Sequence, residues 1–557
     1  MSRKQHKPSA TPSLGLPPEV ELDLKELAAI VERTQKGPLG AEEHAKLKVA
    51  MATLATTLEI VAVLRAELQS KRTSIERLRG MLFGTRTEKS AQVLGKAGEP
   101  ERAAGAAPGR KRPPGHGRNG AGAYCGAEQI HVPHPHLAAG DACPGCRRGK
   151  VYPLEAPAML VRITGMAPLG ARVYACDRLR CNLCGEVYTA AAPEGVGPEK
   201  YDATATSMVG LLKYGTGLPF NRIEKLQAAM RIPLPAATQW DLVKNAAPDL
   251  VPAHEELIDQ AAQGSVVHND DTTMKILELT REQRAAALGE DADEGRTGVF
   301  TSGIVATGAG HRIALFFTGV RHAGENLATV LERRAEELPT PIQMCDGLSS
   351  NTAGDFQTLL SNCNAHARRK YVEVAAHFPE EVRFVLEQLG EIYKTDAEAR
   401  RAGLDPAQQL KLHQEQSGPR MAALEQWMRT QFDERRVEPN SGLGEAIRYM
   451  QNRWDALTLF LRVPGVPLDN NIAERALKKA ILHRKNALFY KTLNGARVGD
   501  IFMSLIFSAE LNGVAPFDYL VALQRHSADV AEHPADWMPW NYHDTLARLT
   551  SGPDPPA

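Results

Sequence analysis

A chain of 557 residues is too long for one hydrophobic core, so several folded units are expected. Its 43% hydrophobic and 24% charged residues are those of an ordinary globular protein, and 66 Lys+Arg balance 66 Asp+Glu, which excludes a uniformly basic DNA-coating surface but not local basic patches. No stretch approaches the roughly 18 consecutive apolar residues of a membrane span, and residues 1–18 lack the apolar segment of a secretory signal, so a cytoplasmic chain is expected.

Residues 20–95 read as helical. Leu54, Val61, Leu68, Ile75 and Leu82 recur every seventh position, with Thr57, Leu64, Lys71 and Leu78 between them, a pattern of a supercoiled dimer helix or of an amphipathic helix packed on its own domain. Residues 96–122, rich in Gly, Ala, Pro and basic side chains, read as a flexible linker in which Arg110, Lys111 and Arg112 suit a DNA backbone.

In residues 123–195, Cys143-Pro-Gly-Cys146 and Cys181-Asn-Leu-Cys184 offer four thiolates for a structural, tetrahedral zinc ion. A β-hairpin is expected in the gap between the pairs, with strands over 159–163 and 171–175. Cys176 is a further thiol, so the ligand set among Cys176, Cys181 and Cys184 stays open. Residues 200–260 read as short helices broken at Gly215-Thr-Gly-Leu-Pro219 and Ile232-Pro-Leu-Pro235. This fits a helix-turn-helix whose second helix, 236–246, carries Gln239, Trp240 and Lys244.

Residues 262–370 hold the strongest pattern. A short strand at 265–268 runs into Asn269-Asp270-Asp271. Strands follow at 298–306 and 312–318, then an amphipathic helix at 324–337 and a strand at 341–345 that ends on Asp346. An Asp at the end of the first and fourth strands in this order is the layout of a ribonuclease-H-like core, in which those strands are neighbours. Two adjacent carboxylates repel unless a divalent cation lies between them. Residues 371–465 read as an all-helical insertion, 466–525 as the last part of the core and 526–557 as a C-terminal tail. Glu474 shares a helix stripe with Leu477 and Ile481 and so points inward. The same Glu474, three residues after Asn471, also suits a capping box.

Several signatures together carry a family resemblance. They are Met81-Leu-Phe-Gly-Thr-Arg-Thr-Glu-Lys89, the Cys-x-x-Cys pairs, His268-Asn-Asp-Asp-Thr272 and Cys363-Asn-Ala-His-Ala-Arg-Arg-Lys370. The most specific is Asp469-Asn-Asn-Ile-Ala-Glu-Arg-Ala-Leu477, continuing into Arg484-Lys-Asn-Ala-Leu-Phe489. In these the chain resembles insertion-sequence-66 transposases along nearly its whole length. The resemblance implies a multidomain α+β protein: a leucine-zipper segment, a zinc-binding domain, a helix-turn-helix and an Asp-Asp-Glu catalytic core. Asp271, Leu348 and Lys478-Lys479 depart from the family's usual residues and remove no catalytic acid.

What the resemblance implies chemically is two-metal phosphoryl transfer on DNA, with Asp270, Asp346 and Glu474 holding Mg2+ or Mn2+. His366, Arg368, Arg369, Arg475, Lys478, Arg484 and Lys485 are candidate DNA contacts beside those acids, as Lys244 is in the helix-turn-helix. The expected partners are double-stranded DNA (terminal inverted repeats and target), a second copy or more of the chain, and small accessory proteins of the same element, with no membrane and a place at the bacterial nucleoid. A regulatory DNA-binding protein without cleavage, or a nuclease without strand transfer, are the alternatives.

Overall fold

The computed structural model describes residues 201–280, 298–354 and 356–551, parts of 131–200, and the single residues Gly40, Lys48 and Gln283. The chain divides into two compact units, Met1–Val93 and Leu94–Ala557, and the second holds both the sheet and the site. The zipper segment, the linker with Arg110, Lys111 and Arg112, and Cys181 and Cys184 lie outside the described residues.

A two-stranded antiparallel sheet joins β1 (Arg178–Arg180) to β2 (Val187–Thr189), with Leu179 opposite Tyr188. Of the expected hairpin, residues 171–175 form no strand, Val173 being 95% exposed, and residues 159–163 lie outside the described residues. The observed strands flank the second cysteine pair instead of preceding it.

Helix α1 (Ala203–Gly210) starts at Asp202, whose carboxylate accepts from Ala205 N at 3.0 Å, and continues into a π-helical turn, Leu211–Gly215. Then come α2 (Phe220–Ala229) and α3 (Ala236–Ala262). Helix α3 runs far beyond the expected end at 246 and carries Pro248 and Pro252 inside it. Interior prolines each remove a backbone hydrogen bond. The helix persists because Val243, Ala246, Ala247, Leu250, Ala253, Leu257 and Ala261 recur at three- and four-residue spacing and are all buried. Gln239 and Trp240 face inward and not toward a ligand. Gln239 is fully buried, and its amide donates to Phe220 O at 3.1 Å and Leu234 O at 2.9 Å, satisfying carbonyls around the turn between the two helices. Lys244 remains exposed.

The central sheet contains β3 (Val266–Thr273), β4 (Phe300–Gly308), β5 (His311–Gly319), then, after helix α4 (Ala323–Leu331), β6 (Ile342–Cys345) and β7 (Leu359–Asn362). The spatial order is β5-β4-β3-β6-β7. β3–β4 and β4–β5 are antiparallel, and β3–β6 and β6–β7 parallel. Ala309 and Gly310, at φ 49° and 83°, form the two-residue turn between β4 and β5, a conformation whose twist matches the flanking strands. β3 extends through both aspartates instead of stopping at His268, and β7 is a strand that the sequence pattern does not announce. Helix α4 ends at Leu331, short of the expected 337, where the Arg334 guanidinium takes up the carbonyls of Ala262, Gly264 and Pro339.

Beyond β7 the described residues are helical: α5 (Asn364–Val374), α6 (Pro379–Arg401), α7 (Pro406–Leu412), a π-helical turn, α8 (Gly418–Asp433), α9 (Gly442–Gln451) and α10 (Trp454–Leu457). Then α11 (Asn471–Ala487) and α12 (Leu493–Leu511) return to the sheet. Residues 526–551, expected as a tail, are folded: the fully buried Trp537 accepts the Tyr519 hydroxyl at its carbonyl (2.9 Å) and donates its ring N–H to Asp529 at 2.7 Å.

Helix α12 closes the β5 edge with a regular device. The outward N–H groups of Arg312, Ala314, Phe316 and Thr318 donate to the side chains of Asn512, Ser508, Ser504 and Asp500 at 3.2, 3.0, 3.0 and 2.7 Å. Two residues of strand rise roughly 6.6 Å and four residues of helix about 6 Å, so acceptors every fourth helical position keep step with every second strand N–H. An edge strand whose N–H groups are taken in this way cannot pair further.

Candidate active site

The site forms where β3 and β6 end side by side. Their parallel register pairs Val266 with Ile342, Val267 with Gln343 and His268 with Met344. Two residues further along each chain stand Asp270 and Asp346, which the register brings level despite their distance in sequence. On its other side Asp270 pairs with Gly303 of β4. A Cβ on Gly303 would lie 3.0 Å from Leu477 Cδ2, so the missing side chain lets α11 settle against the sheet. Leu477 is buried there, and Glu474 sits one helical turn earlier on the same face, near enough to Asp270 for its charge to act on that carboxyl.

The electrostatics reflect this convergence. Burial, followed by the charge of Asp346, pushes the Asp270 carboxyl up to about 7, with Asp271 and Glu474 adding to the rise and the Asp271 N–H, at 2.8 Å, opposing it. Carboxylates so crowded favour either a proton or a cation.

Asp346 is held by its neighbours. Asp346 Oδ1 accepts from Leu348 N at 3.0 Å and Asn351 Nδ2 at 2.8 Å, and its carbonyl accepts the Tyr449 hydroxyl at 2.8 Å. Gly347, at φ 83°, has Arg453 packed where a Cβ would stand, and Arg453 donates to the Gly347 carbonyl at 3.0 Å. Asn351 is fixed in turn, its carbonyl accepting from Asn269 Nδ2 (2.7 Å) and Gln343 Nε2 (2.6 Å).

On α11 the N-cap is Asn470, which makes no side-chain cap. Its side chain crosses to β3 instead, donating to Asn269 O at 3.0 Å and meeting His268 Nδ1 at 3.1 Å, while its N–H donates to Cys363 Sγ at 3.2 Å. Asn471 is thus already inside the helix, and Glu474 lies too far along it to close a capping box. Its Oε1 is buried without a hydrogen bond. His366 Nδ1, likewise without one, stands 3.7 Å away.

The candidate DNA contacts divide. Arg475, Lys478 and Lys485 are exposed on α11, and Arg368 and Arg369 are half-buried on α5. Arg484 is turned back onto β3, donating to Thr272 Oγ1 at 3.0 Å and Thr273 Oγ1 at 2.6 Å, so this guanidinium fixes α11 to the strand and does not face outward.

Asn269, Asn351, Asn470, Tyr449 and Arg453, all of them holding the acids in place, were not singled out by sequence reasoning. The available signal was Asn269 in a strand that opens on Val266 and Val267, since a buried amide must find partners.

The first cysteine pair lies apart from this site. Cys143 N donates to Gly149 O at 2.8 Å, and Gly149 N donates to Cys146 Sγ at 3.4 Å. The backbone N–H groups of Gly149 and Arg148 and the Cys143 side chain lower the Cys146 thiol below its ordinary value. Cys176 is exposed and unpaired to another cysteine.

Compared with known families, residues 200–498 match the pattern of the transposase IS66 family. The chain belongs to the IS66 transposase family. The match covers more than half of this IS66-family chain, from just before α1 into α12, and takes in all three acids. Among curated proteins it is similar to three uncharacterized proteins of Sinorhizobium fredii (strain NBRC 101917 / NGR234). The protein y4jD is 31% identical over 188 residues, 33% of this chain and 36% of that one. The protein y4qI is 26% identical over 350 residues, 60% and 61% of the two chains, and y4hP is 23% identical over 388, 66% and 67%. The IS66-family chain thus spans about a third of the first of these and about three fifths of the second. Among its described residues no helix is long and apolar enough to cross a membrane.

Proposed function

We propose that this chain is a DNA transposase whose ribonuclease-H-like core cuts and joins DNA strands at the ends of an insertion sequence. The observation that supports the reading is the Asp270 carboxyl, pushed up to about 7 by burial and by the charges of Asp346, Asp271 and Glu474, which come from distant parts of the sequence. The strand order, three antiparallel strands followed by two parallel ones beside the first, supports the fold assignment.

The donor set is all oxygen, and Glu474 Oε1 lacks any hydrogen bond, which suits hard cations that need carboxylates and open positions. When bound, two Mg2+ or Mn2+ ions supply activation of the attacking oxygen and neutralisation of charge on the leaving one. Asp270, Asp346 and Glu474 are the residues that would hold these ions. The reaction forms a bond from the oxygen of water, or later of a DNA 3′-hydroxyl, to phosphorus, and the proton of that oxygen passes to solvent. It breaks the opposite phosphorus–O3′ bond, whose oxygen takes a proton from solvent. Arg475, Lys478 and Lys485, with His366, Arg368 and Arg369, contact the phosphates flanking that bond. Lys244 and the linker residues Arg110, Lys111 and Arg112 extend the contact to the element end. Cys143, Cys146, Cys181 and Cys184 hold a structural zinc. The chain works as a dimer or higher oligomer in the bacterial cytoplasm, with small accessory proteins of its element.

The test supplies full-length protein and Mg2+ with oligonucleotides ending in the element's inverted repeats, intact or pre-cut, and a target plasmid. Cleavage and joining are expected from the natural chain and neither from Asp270→Ala or Glu474→Ala, which still bind the ends. Cleavage without joining would make it a nuclease, and normal cleavage by Glu474→Ala would remove that residue from the site.

A further inference from the structure

Beside the three acids lies a donor set of different chemistry. Cys363 Sγ, a ring nitrogen of His366 and a carboxylate oxygen of Glu474 all lie within 4.8 Å of one another. Cys363 caps the start of α5, His366 is in its first turn, and Glu474 comes from α11. The His366 Nδ1 to Glu474 Oε1 separation is 3.7 Å. That is too long for a hydrogen bond. Two ligands about 2.1 Å from a shared tetrahedral ion stand roughly 3.4 Å apart, so the observed gap is close to the edge of such a site. Neither atom has a hydrogen-bond partner although both are buried. The Asn470 N–H donates to the sulfur at 3.2 Å, the kind of outer bond that orients a ligating thiolate.

We infer that Cys363, His366 and Glu474 form a binding site for a borderline-soft divalent cation of the zinc type, and that this ion withdraws Glu474 from the hard cations of the Asp270–Asp346 pair. Thiolate and imidazole select zinc, whereas the carboxylate pair selects magnesium or manganese. Glu474 is the one ligand common to the two sets, so occupancy of one empties the other of its third acid. Zinc then acts as an inhibitor of strand cleavage. This last consequence rests on the function proposed above; the binding site does not.

The experiment uses metal-free full-length protein titrated with Zn2+ and, for its visible absorption, Co2+. The paired cysteines contribute equally in every variant and cancel. The natural chain is expected to bind one more equivalent than Cys363→Ser or His366→Ala, with the difference spectrum carrying a single thiolate-to-cobalt band. Cys363→Ser keeps an acceptor for the Asn470 N–H, and the partly exposed His366 tolerates truncation, so at least one variant remains folded by thermal melting. In cleavage assays with Mg2+, each variant compared with its own zinc-free rate, Cys363→Ser should need at least about tenfold more Zn2+ for half-inhibition. Equal metal uptake by all three proteins would overturn the site while leaving strand cleavage intact. An extra equivalent bound by a chain that never cleaves would leave the site standing and sink the transposase reading.

Discussion

Asn470 donates its side-chain amide to the backbone carbonyl of Asn269 at 3.0 Å, tying the helix that carries Glu474 to the strand that carries Asp270. Both residues are completely buried, and the same Asn470 side chain meets the His268 ring. The position of Glu474 relative to Asp270 is therefore set by a fully buried amide. Asn470→Ala strands a carbonyl and an imidazole, which costs about 1–3 kcal/mol. Single-turnover cleavage should fall more than this loss of stability explains, with binding of DNA ends retained; cleavage at the natural rate in a folded Asn470→Ala protein would contradict the tie.

Gly303 makes a second test of the same geometry. A methyl group there meets Leu477 at 3.0 Å, so Gly303→Ala pushes α11, and Glu474 with it, a few tenths of an ångström from Asp270. Cleavage is expected to drop with only a modest fall in melting temperature. Shortening the opposing side chain should restore part of it, so Gly303→Ala with Leu477→Ala should be more active than the sum of the single effects allows. Additive losses in this double-mutant cycle would dissociate the two residues.

The raised Asp270 carboxyl has a consequence for pH. Its folded value of about 7 lies above the roughly 3.9 of an unfolded chain, so between these values the folded state binds the extra proton. Without metal, this residue therefore removes stability as pH rises from about 4 to about 7, and no further above that. Melting curves in chelator should show the natural chain losing ground to Asp270→Asn across that window. Mg2+ should abolish the difference, because the cation replaces the proton.

The α12 stripe gives an independent prediction about stability. Ser504→Ala and Ser508→Ala leave the N–H groups of Phe316 and Ala314 buried and unmatched, at about 1–3 kcal/mol each. Asp500 behaves differently. Burial pushes its carboxyl up to about 8, against the two Thr318 hydrogen bonds, so burial disfavours its charge and the neutral Asp500→Asn is a close substitute. Asp500→Asn should melt near the natural chain and Asp500→Ala well below it. Equal melting of the two variants would remove the hydrogen bond from the account.

Much of the central sheet is legible in the sequence because strands announce themselves by apolar runs, and their order predicts Asp270 and Asp346 at neighbouring strand ends, as the β3–β6 register has them. Glu474 was ambiguous because a helix-start Asn followed by Glu satisfies two patterns at once; the boundary at Asn470, one residue earlier than a cap at Asn471 requires, separates them. Helix α3 runs past the expected 246, through Pro248 and Pro252, because the burial that sustains it is a property of the packed domain and not of the local sequence. The strands at 178–180 and 187–189 are too short for periodicity to reveal. The serines of α12 read as small helix residues until the edge of β5 gives them a purpose.

That edge has a consequence for the order of events at synthesis. Ala314 and the Ser508 that satisfies it are separated by 194 residues. At roughly 5–20 residues per second, β5 leaves the ribosome about 10 to 40 seconds before its partner exists. During that interval the strand's outward N–H groups form an open template for any extended peptide nearby. The nascent chain's exposure to mispairing is thus greatest while its helical insertion is being made, and ends only when α12 arrives.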